Sequence, residues 1–149
     1  MSAPAARAGR PTPSDHVARA ELRVIYGDTD QMGVVYYANF LRWFEASRAQ
    51  YLRDTGLSYA EVESRFDLML PVSEAHVRYR RPARYEDVVV VQARMTELGW
   101  ASLRFEYEVR RGADLLADGW TVHACIDREG HVRRFPREVI TLFGGRLPS

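Results

Sequence analysis

Two aspartates, Asp28 and Asp30, stand one residue apart, just ahead of a glycine and the predicted start of a long helix. Gly33 permits a backbone turn that a residue with a β-carbon resists, and Asn39 is suited to cap a helix with its side-chain oxygen. The first N–H groups of a helix have no partner inside it, and the positive end of the helix dipole lies there. Such a place stabilises negative charge that develops on a carbonyl oxygen. A carboxylate beside a polarised carbonyl can act as a base for water or as a nucleophile.

The two carboxylates are expected to have different roles. In an extended segment the side chains of Asp28 and Asp30 point to opposite sides, so only one of them faces a given pocket. We assign Asp28 mainly to structure, as an acceptor for loop N–H groups. An Asp near a glycine commonly makes an Asx-turn, so the residues alone leave Asp30 open between a turn and catalysis. A metal ion between the two is disfavoured, because no His or further carboxylate stands nearby to complete its shell.

The run DTDQMGVVYYANFLRWFE, from Asp28 to Glu45, resembles the signature of the 4-hydroxybenzoyl-CoA thioesterase family of hotdog-fold proteins. That family includes the small bacterial acyl-CoA thioesterases associated with the Tol-Pal envelope system. A second run, YRRPARYED from Tyr79 to Asp87, resembles the family's strand, Pro-Ala turn and acidic start of the next strand. The similarity extends from about His16 to Phe143, which is most of the chain.

The resemblance implies hydrolysis of an acyl-CoA thioester, with Asp30 as the catalytic aspartate and the backbone N–H of Tyr37 as the donor that polarises the thioester carbonyl. Many Tol-Pal-associated members carry His where this chain has Tyr37, whereas Tyr occurs in the 4-hydroxybenzoyl-CoA branch. The backbone role therefore carries over to Tyr37 without any side-chain role of His. The resemblance also implies that CoA is part of the substrate, that no separate cofactor is needed, and that the pocket lies between subunits of a homodimer or homotetramer. The expected substrate-binding residues are Gly33, Val34, Tyr36 and Glu45.

Glu45 lies about one and a half turns into the predicted helix and has two interpretations. It could face the same pocket as Asp30 and assist its carboxylate, or it could pair with Arg42 or Arg48 on the helix surface. The phosphates of CoA would need cationic partners, and no single arginine is assigned to them. The candidates at predicted strand ends and turns are Arg80, Arg81, Arg84, Arg128, Arg133 and Arg134.

The elements that position these residues follow from the spacing of apolar side chains. A strand ends near Tyr26, and apolar residues three and four apart predict a helix from Asn39 to about Asp54. Ser58, with Glu61 three residues later, predicts a second helix that runs to Phe66. Further strands are predicted over 75–79, 85–95, 103–110, 115–126 and 131–135, before a last short helix that begins at Pro136. The expected fold class is α+β, a hotdog fold with an antiparallel sheet of about six strands wrapped around the long helix.

The 149 residues suit one domain, which we place at 16–149 behind a flexible arm at 1–15. The net charge of +1 gives no reason to expect a nucleic-acid partner. Cys125 is the only cysteine, which excludes an intramolecular disulfide, and it is interpreted as a small buried residue. Because no apolar run approaches the roughly 20 residues of a membrane span and no secretory signal is found, a cytoplasmic protein is expected.

Two other functions stay open beside thioester hydrolysis. A hotdog hydratase or dehydratase would need a His and an acid around a β-hydroxyacyl group, and the Asp28–Glu45 run contains no His. We interpret His76 and His123 as exposed or hydrogen-bonded strand residues. In a non-catalytic acyl-thioester-binding subunit, Asp30 would only position a ligand. Within hydrolysis, direct attack by Asp30 and activation of water by Asp30 are both possible, and the acyl group is open.

Overall fold

The computed structural model describes residues 9–149, which form five strands and three α-helices. In chain order the elements are β1 (Val17–Arg23), α1 (Asn39–Asp54), α2 (Tyr59–Phe66), β2 (Val72–Tyr79), β3 (Val88–Leu98), β4 (Ser102–Arg111), β5 (Asp114–Ala124) and α3 (Arg137–Leu142). Every neighbouring pair of strands is antiparallel, in the order β1-β3-β4-β5-β2. The α+β class, with a long helix against an antiparallel sheet, is confirmed.

Alternation along the strands presents one apolar face of the sheet to α1. In β3, Val91 is fully buried on this face, while its neighbours in the strand are only partly buried. The ring of Phe44 in α1 stacks on Tyr107 of β4, with 4.2 Å between the ring centroids. Two turns further along α1, Tyr51 packs edge-on against Phe105 at 5.2 Å. These aromatic pairs fix how deep α1 lies on the sheet and in which direction it runs.

The predicted helix over Asn39–Asp54 is confirmed at both ends, but the capping role of Asn39 is wrong. Ala38 precedes the first helical residue, and no side chain caps this end. The side-chain nitrogen Nδ2 of Asn39 instead donates to the carbonyl oxygen of Asp28 at 2.9 Å. The second cap is confirmed, because Ser58 Oγ accepts the N–H of Glu61 at 3.2 Å at the start of α2.

The prediction of a sixth strand over residues 131–135 is wrong. This segment makes only one isolated bridge among the described residues, between Val132 and Ile126. Phe135 donates its N–H to the carbonyl oxygen of Trp100 at 2.6 Å. The chain is therefore held against the turn between β3 and β4, where it cannot extend a ladder along the sheet.

Part of the predicted N-terminal arm contacts the domain. Thr12 and Arg146 exchange two backbone hydrogen bonds, of 2.9 and 2.8 Å, and the hydroxyl oxygens of Ser14 and Tyr51 are 2.6 Å apart. These contacts hold the chain ahead of β1 against α1 and the C-terminal segment. Residues 1–8 of the arm lie outside the described residues, and the domain boundary at residue 16 stays a prediction.

A series of hydrogen-bonded polar groups crosses the core between β4 and β5. The hydroxyl of Tyr107 is bonded to Thr121 Oγ1, which lies 2.9 Å from Nε2 of His123. Nδ1 of His123 lies 2.9 Å from the carbonyl oxygen of Leu70. A carbonyl only accepts, so Nδ1 carries the proton and Nε2 is the acceptor. Burial lowers the pKa of His123 to about 4, although the bond to Leu70 opposes that shift, so the imidazole of the folded protein is neutral at neutral pH.

We predict that His123 makes the protein less stable in mild acid. The imidazole of His123 takes up a proton near pH 6.5 in the unfolded chain and only near pH 4 in the folded chain. Above pH 6.5 it is neutral in both states, so it does not destabilise the protein there. The free energy of unfolding should then fall by on the order of 3 kcal/mol as the pH drops from about 6.5 to about 4. Urea unfolding across this range measures it.

The control variants are His123→Gln, which keeps a donor and an acceptor but does not titrate, and His131→Gln, which changes an exposed histidine. The first should flatten the pH dependence and the second should leave it in place. An equally steep dependence in His123→Gln would assign the effect to other groups.

Candidate active site

The loop before α1 is a tight turn that presents Asp30. The N–H of Asp30 donates to the carbonyl of Val34 at 2.9 Å, and the N–H of Gly33 donates back to the carbonyl of Asp30 at 3.0 Å. Gly33 has a φ of +79°, in the left-handed region that side chains disfavour. Thr29 and Val35 form an isolated antiparallel bridge that closes the turn. The predicted need for glycine at this position is confirmed.

Asp28 is buried below this turn and holds the loop together, as predicted. Its Oδ2 accepts the N–H of Ile25 at 3.0 Å, and its Oδ1 lies 3.5 Å from Nη1 of Arg42 in the first turn of α1. Its carbonyl oxygen accepts from the N–H of Tyr36 at 2.8 Å and from Nδ2 of Asn39 at 2.9 Å. One residue thus connects the end of β1, the loop and the helix start.

Asp30 is half-buried, and its two carboxylate oxygens have different surroundings. Oδ1 accepts the N–H of Met32 at 2.8 Å, which is an Asx-turn. No group within residues 9–149 donates a hydrogen bond to Oδ2. The turn therefore fixes the direction of the carboxylate and leaves one oxygen available to a ligand.

Tyr37 precedes Ala38, the residue before α1, so its backbone N–H takes no part in the hydrogen bonds of the helix. In the part of the chain that the structure describes, it donates to no protein acceptor. The carbonyl of the same peptide, that of Tyr36, accepts the N–H of Asn39 at 2.9 Å. This bond holds the peptide plane and polarises it, so the Tyr37 N–H is a fixed donor at the positive end of α1.

Asp30 and Tyr37 line one cavity of about 310 Å³, between the loop and the segment that follows β2. Most of its wall is apolar or aromatic. The lining residues are Asp30, Val34, Val35, Tyr37, Phe40, Tyr79, Arg80, Arg81, Pro82 and Ala83. Val35 donates its N–H to the carbonyl of Ala83 at 2.8 Å and joins the two walls. A carboxylate and an unpaired N–H in such a cavity can polarise a carbonyl and deliver a base or nucleophile to it.

Three predicted substrate-binding residues lie outside this cavity. Gly33 is exposed and shapes the turn, and Tyr36 is exposed with its ring 4.7 Å from the ring of Tyr37. Glu45 lines a separate depression between α1 and β1, so within one chain it does not share a pocket with Asp30. The physical reason is helical rotation, because Glu45 follows Phe40 by five residues and lies about 140° around the helix from it.

The wall formed by residues 79–83 faces Asp30 without any local pattern in the sequence that predicts it. The sequence offers Arg80 and Arg81 only as possible phosphate contacts, and it does not single out Tyr79 as a site residue. The second run of resemblance, which begins at Tyr79, was the available signal. Arg80 pairs with Asp118 at 2.8 Å, and both side chains are partly exposed.

Histidine does not contribute to this cavity. All four histidines of the chain lie within the described residues, and none lines it. His76 stacks on Trp120 on the other face of the sheet, with ring centroids 5.6 Å apart. Cys125 is buried, which raises the pKa of its thiol to about 11 and confirms its interpretation as a core residue. Within residues 9–149, no group of three or more His, Cys, Asp or Glu is placed to hold a metal.

A family model described as the Thioesterase-like superfamily matches residues 24–142. This span contains α1, strands β2 to β5 and the whole cavity, and the chain belongs to this superfamily. Acyl-CoA thioesterase YbgC of Haemophilus influenzae is 32% identical over 124 residues, which cover 82% of this chain and 90% of the relative.

Solved structures show the same fold. A Thermus thermophilus protein, TT1821, superposes with a TM-score of 0.81 at 36% identity, covering 87% of this chain and 96% of that one. A mutant of 4-hydroxybenzoyl-CoA thioesterase in complex with 4-hydroxybenzoyl-CoA superposes with a TM-score of 0.76, covering 85% and 97%, at 20% identity. The hotdog fold is confirmed. The likeness to 4-hydroxybenzoyl-CoA thioesterase itself extends to the fold alone, and membership of that particular family stays a prediction.

No helix within residues 9–149 combines the length and the apolar character that a membrane crossing requires.

Proposed function

We propose that this chain hydrolyses acyl-CoA thioesters to a free acid and CoA, in the cavity between the Asp30 turn and residues 79–83. The observation that carries the proposal is the pairing of a partly free carboxylate, Asp30, with an unpaired backbone donor, Tyr37 N–H, in one largely apolar cavity. The relative that shares 32% identity is named as an acyl-CoA thioesterase, which supports the same chemistry. The cytoplasm, expected from the sequence, is the proposed location.

In the proposed reaction the thioester carbonyl oxygen accepts a hydrogen bond from the Tyr37 N–H. The positive end of α1 stabilises the charge that develops on this oxygen as the carbonyl carbon becomes tetrahedral. Oδ2 of Asp30 either removes a proton from an attacking water or attacks the carbon itself to form an anhydride that water then opens. In both routes the C–S bond breaks, CoA leaves as the thiolate and takes up a proton, and no cofactor beyond the substrate is consumed.

The cavity also suggests how the substrate is held. Val34 lies on its wall beside Asp30, and Gly33 and Tyr36 stand at the turn just outside it. Arg80 and Arg81 on the opposite wall are the arginines nearest the reacting groups that could meet the phosphates of CoA. The acyl group would pack against the aromatic ring of Phe40, which lines the cavity from the first turn of α1.

A hydratase or dehydratase is the less favoured alternative, because it would need a histidine near the acyl group and none lines the cavity. A non-catalytic acyl-thioester-binding subunit has one observation in its favour. Asp30 already serves the turn through the bond to Met32 N–H, which would be a sufficient structural role for it.

We predict that Asp30→Asn lowers kcat by on the order of 10² to 10⁴, because an amide can neither take a proton nor attack the carbonyl. The amide oxygen can still accept the N–H of Met32, so the variant should fold with an unchanged melting temperature. Release of free thiol from a panel of short, long and aromatic acyl-CoAs, with wild type and variant side by side, measures this and ranks the acyl groups.

The matched control is Asp28→Asn, which removes a carboxylate two residues away. Since Asp28 holds the loop and faces Arg42, this variant should lose stability rather than show the selective loss of kcat. Full turnover by Asp30→Asn would refute the proposed role of Asp30. Binding of acyl-CoA without thiol release by the wild type would favour the binding subunit.

We also propose that the chain works as a homodimer or homotetramer. β2 is at the edge of the sheet, and seven of its eight residues are exposed. It ends at Tyr79, on the wall of the cavity. A second chain that paired along this edge would lie next to the cavity, and only from another subunit could Glu45 reach the substrate of Asp30.

The expected mass by light scattering is about two or four times the 17.1 kDa of one chain, because an unpaired edge strand is normally covered. Charged substitution of Ala75, in the middle of the exposed edge, should shift the protein toward monomer. Full activity of a 17.1 kDa monomer would contradict the proposal that subunits pair at the site.

A further inference from the structure

Tyr79, the last residue of β2, is hydrogen-bonded to the residue that carries the proposed oxyanion donor. Its hydroxyl donates to the carbonyl oxygen of Tyr37 at 2.8 Å. Its ring packs edge-on against the ring of Tyr37, with centroids 6.3 Å apart, and edge-on against Phe40 at 5.2 Å. All three residues line the same cavity. A side chain from the sheet edge thus reaches across the cavity to the start of α1.

This bond completes the fixation of Tyr37. On its N-terminal side, the peptide that contains the Tyr37 N–H is held by the bond from Asn39 N–H to the Tyr36 carbonyl. On its C-terminal side, the only backbone bond to the Tyr37 carbonyl among the described residues comes from Phe40 N–H and is long, at 3.3 Å. The shorter bond from Tyr79 is therefore the main restraint on this second peptide. With both peptides held, the N–H between them keeps one direction.

The hydroxyl of Tyr79 is protonated under ordinary conditions. Partial burial raises the pKa of Tyr79 above its usual value of 10.0, and the neighbouring Tyr37 adds to the effect. A carbonyl oxygen only accepts hydrogen bonds, so Tyr79 must be the donor. The restraint on Tyr37 is thus present across the neutral pH range.

We propose that Tyr79 is a positioning residue for thioester hydrolysis, which holds Tyr37 so that its backbone N–H meets the developing oxyanion. The inference rests on the proposed function and adds to it a side chain from the opposite wall. The hydroxyl acts through Tyr37, whereas the ring forms part of the wall. The two contributions can be separated, since Tyr79→Phe removes the hydroxyl and keeps the ring.

In steady-state assays with acyl-CoA, Tyr79→Phe is expected to lower kcat about tenfold, with KM within about twofold of wild type, because the weakened contact matters most in the transition state. A purely structural or ground-state binding role of Tyr79 would instead raise KM or lower the melting temperature. Tyr85→Phe is the matched control, because Tyr85 is an exposed tyrosine outside the cavity whose hydroxyl has no partner among the described residues. It should leave kcat and KM unchanged.

A second readout does not depend on turnover. In the amide NMR spectrum, the Tyr37 and Ala38 resonances should shift in Tyr79→Phe, because the carbonyl of the peptide between them loses its hydrogen bond, and they should stay in place in Tyr85→Phe. Unchanged kcat in Tyr79→Phe, equal losses in both variants, or unmoved Tyr37 and Ala38 resonances would each overturn the inference. If wild type releases no thiol, the proposed function fails and the positioning role falls with it, whereas an active wild type with an unaffected Tyr79→Phe refutes the positioning role alone.

Discussion

The carbonyl oxygen of Asp28 accepts two hydrogen bonds, from the N–H of Tyr36 and from the side-chain amide of Asn39, and the position of the helix start depends on it. The carboxylate of the same residue holds the N–H of Ile25 and faces Arg42. Because buried backbone groups need partners, the loop over residues 24–38, which leaves β1 and enters α1, has few alternative arrangements. The hydrogen bonds of Asp28 stabilise one of these arrangements, and that arrangement sets the directions of the Asp30 carboxylate and the Tyr37 N–H.

The carboxylate of Asp30 illustrates how a structural bond and a reactive group can coexist in one side chain. An ionised carboxylate beside apolar residues such as Val34 and Phe40 is costly unless it is hydrogen-bonded. The N–H of Met32 supplies one such bond to Oδ1, and Oδ2 stays accessible. The turn therefore orients the group before any ligand arrives, so less reorganisation is needed when charge moves in the reaction. An Asx-turn and a catalytic role, which looked like alternatives in the sequence, are compatible here.

Local patterns in the sequence predicted what depends on local structure. The three- and four-residue spacing predicted α1 over Asn39–Asp54, and the Ser58 cap defined the start of α2. The role of Asn39 could not be predicted from local patterns, because its side chain bonds to Asp28, eleven residues upstream, and capping rules do not consider such a partner. The opposite wall of the cavity, residues 79–83, could not be predicted locally either. It reaches the cavity because β2 pairs with β5, and no local pattern specifies that pairing. Helical rotation explains why Glu45 lies away from Phe40 and the cavity within one chain.

The arginines on the far wall differ in how freely they could contact an anion. Arg80 is paired with Asp118, and Arg81 lies 3.4 Å from Asp114, but all four side chains are at least partly exposed. Exposed ion pairs of this kind stabilise a protein by about 1 kcal/mol or less. An arginine in such a pair could therefore exchange its carboxylate partner for a phosphate at little cost. Weak pairing with sheet carboxylates is therefore compatible with the proposed phosphate contacts of Arg80 and Arg81.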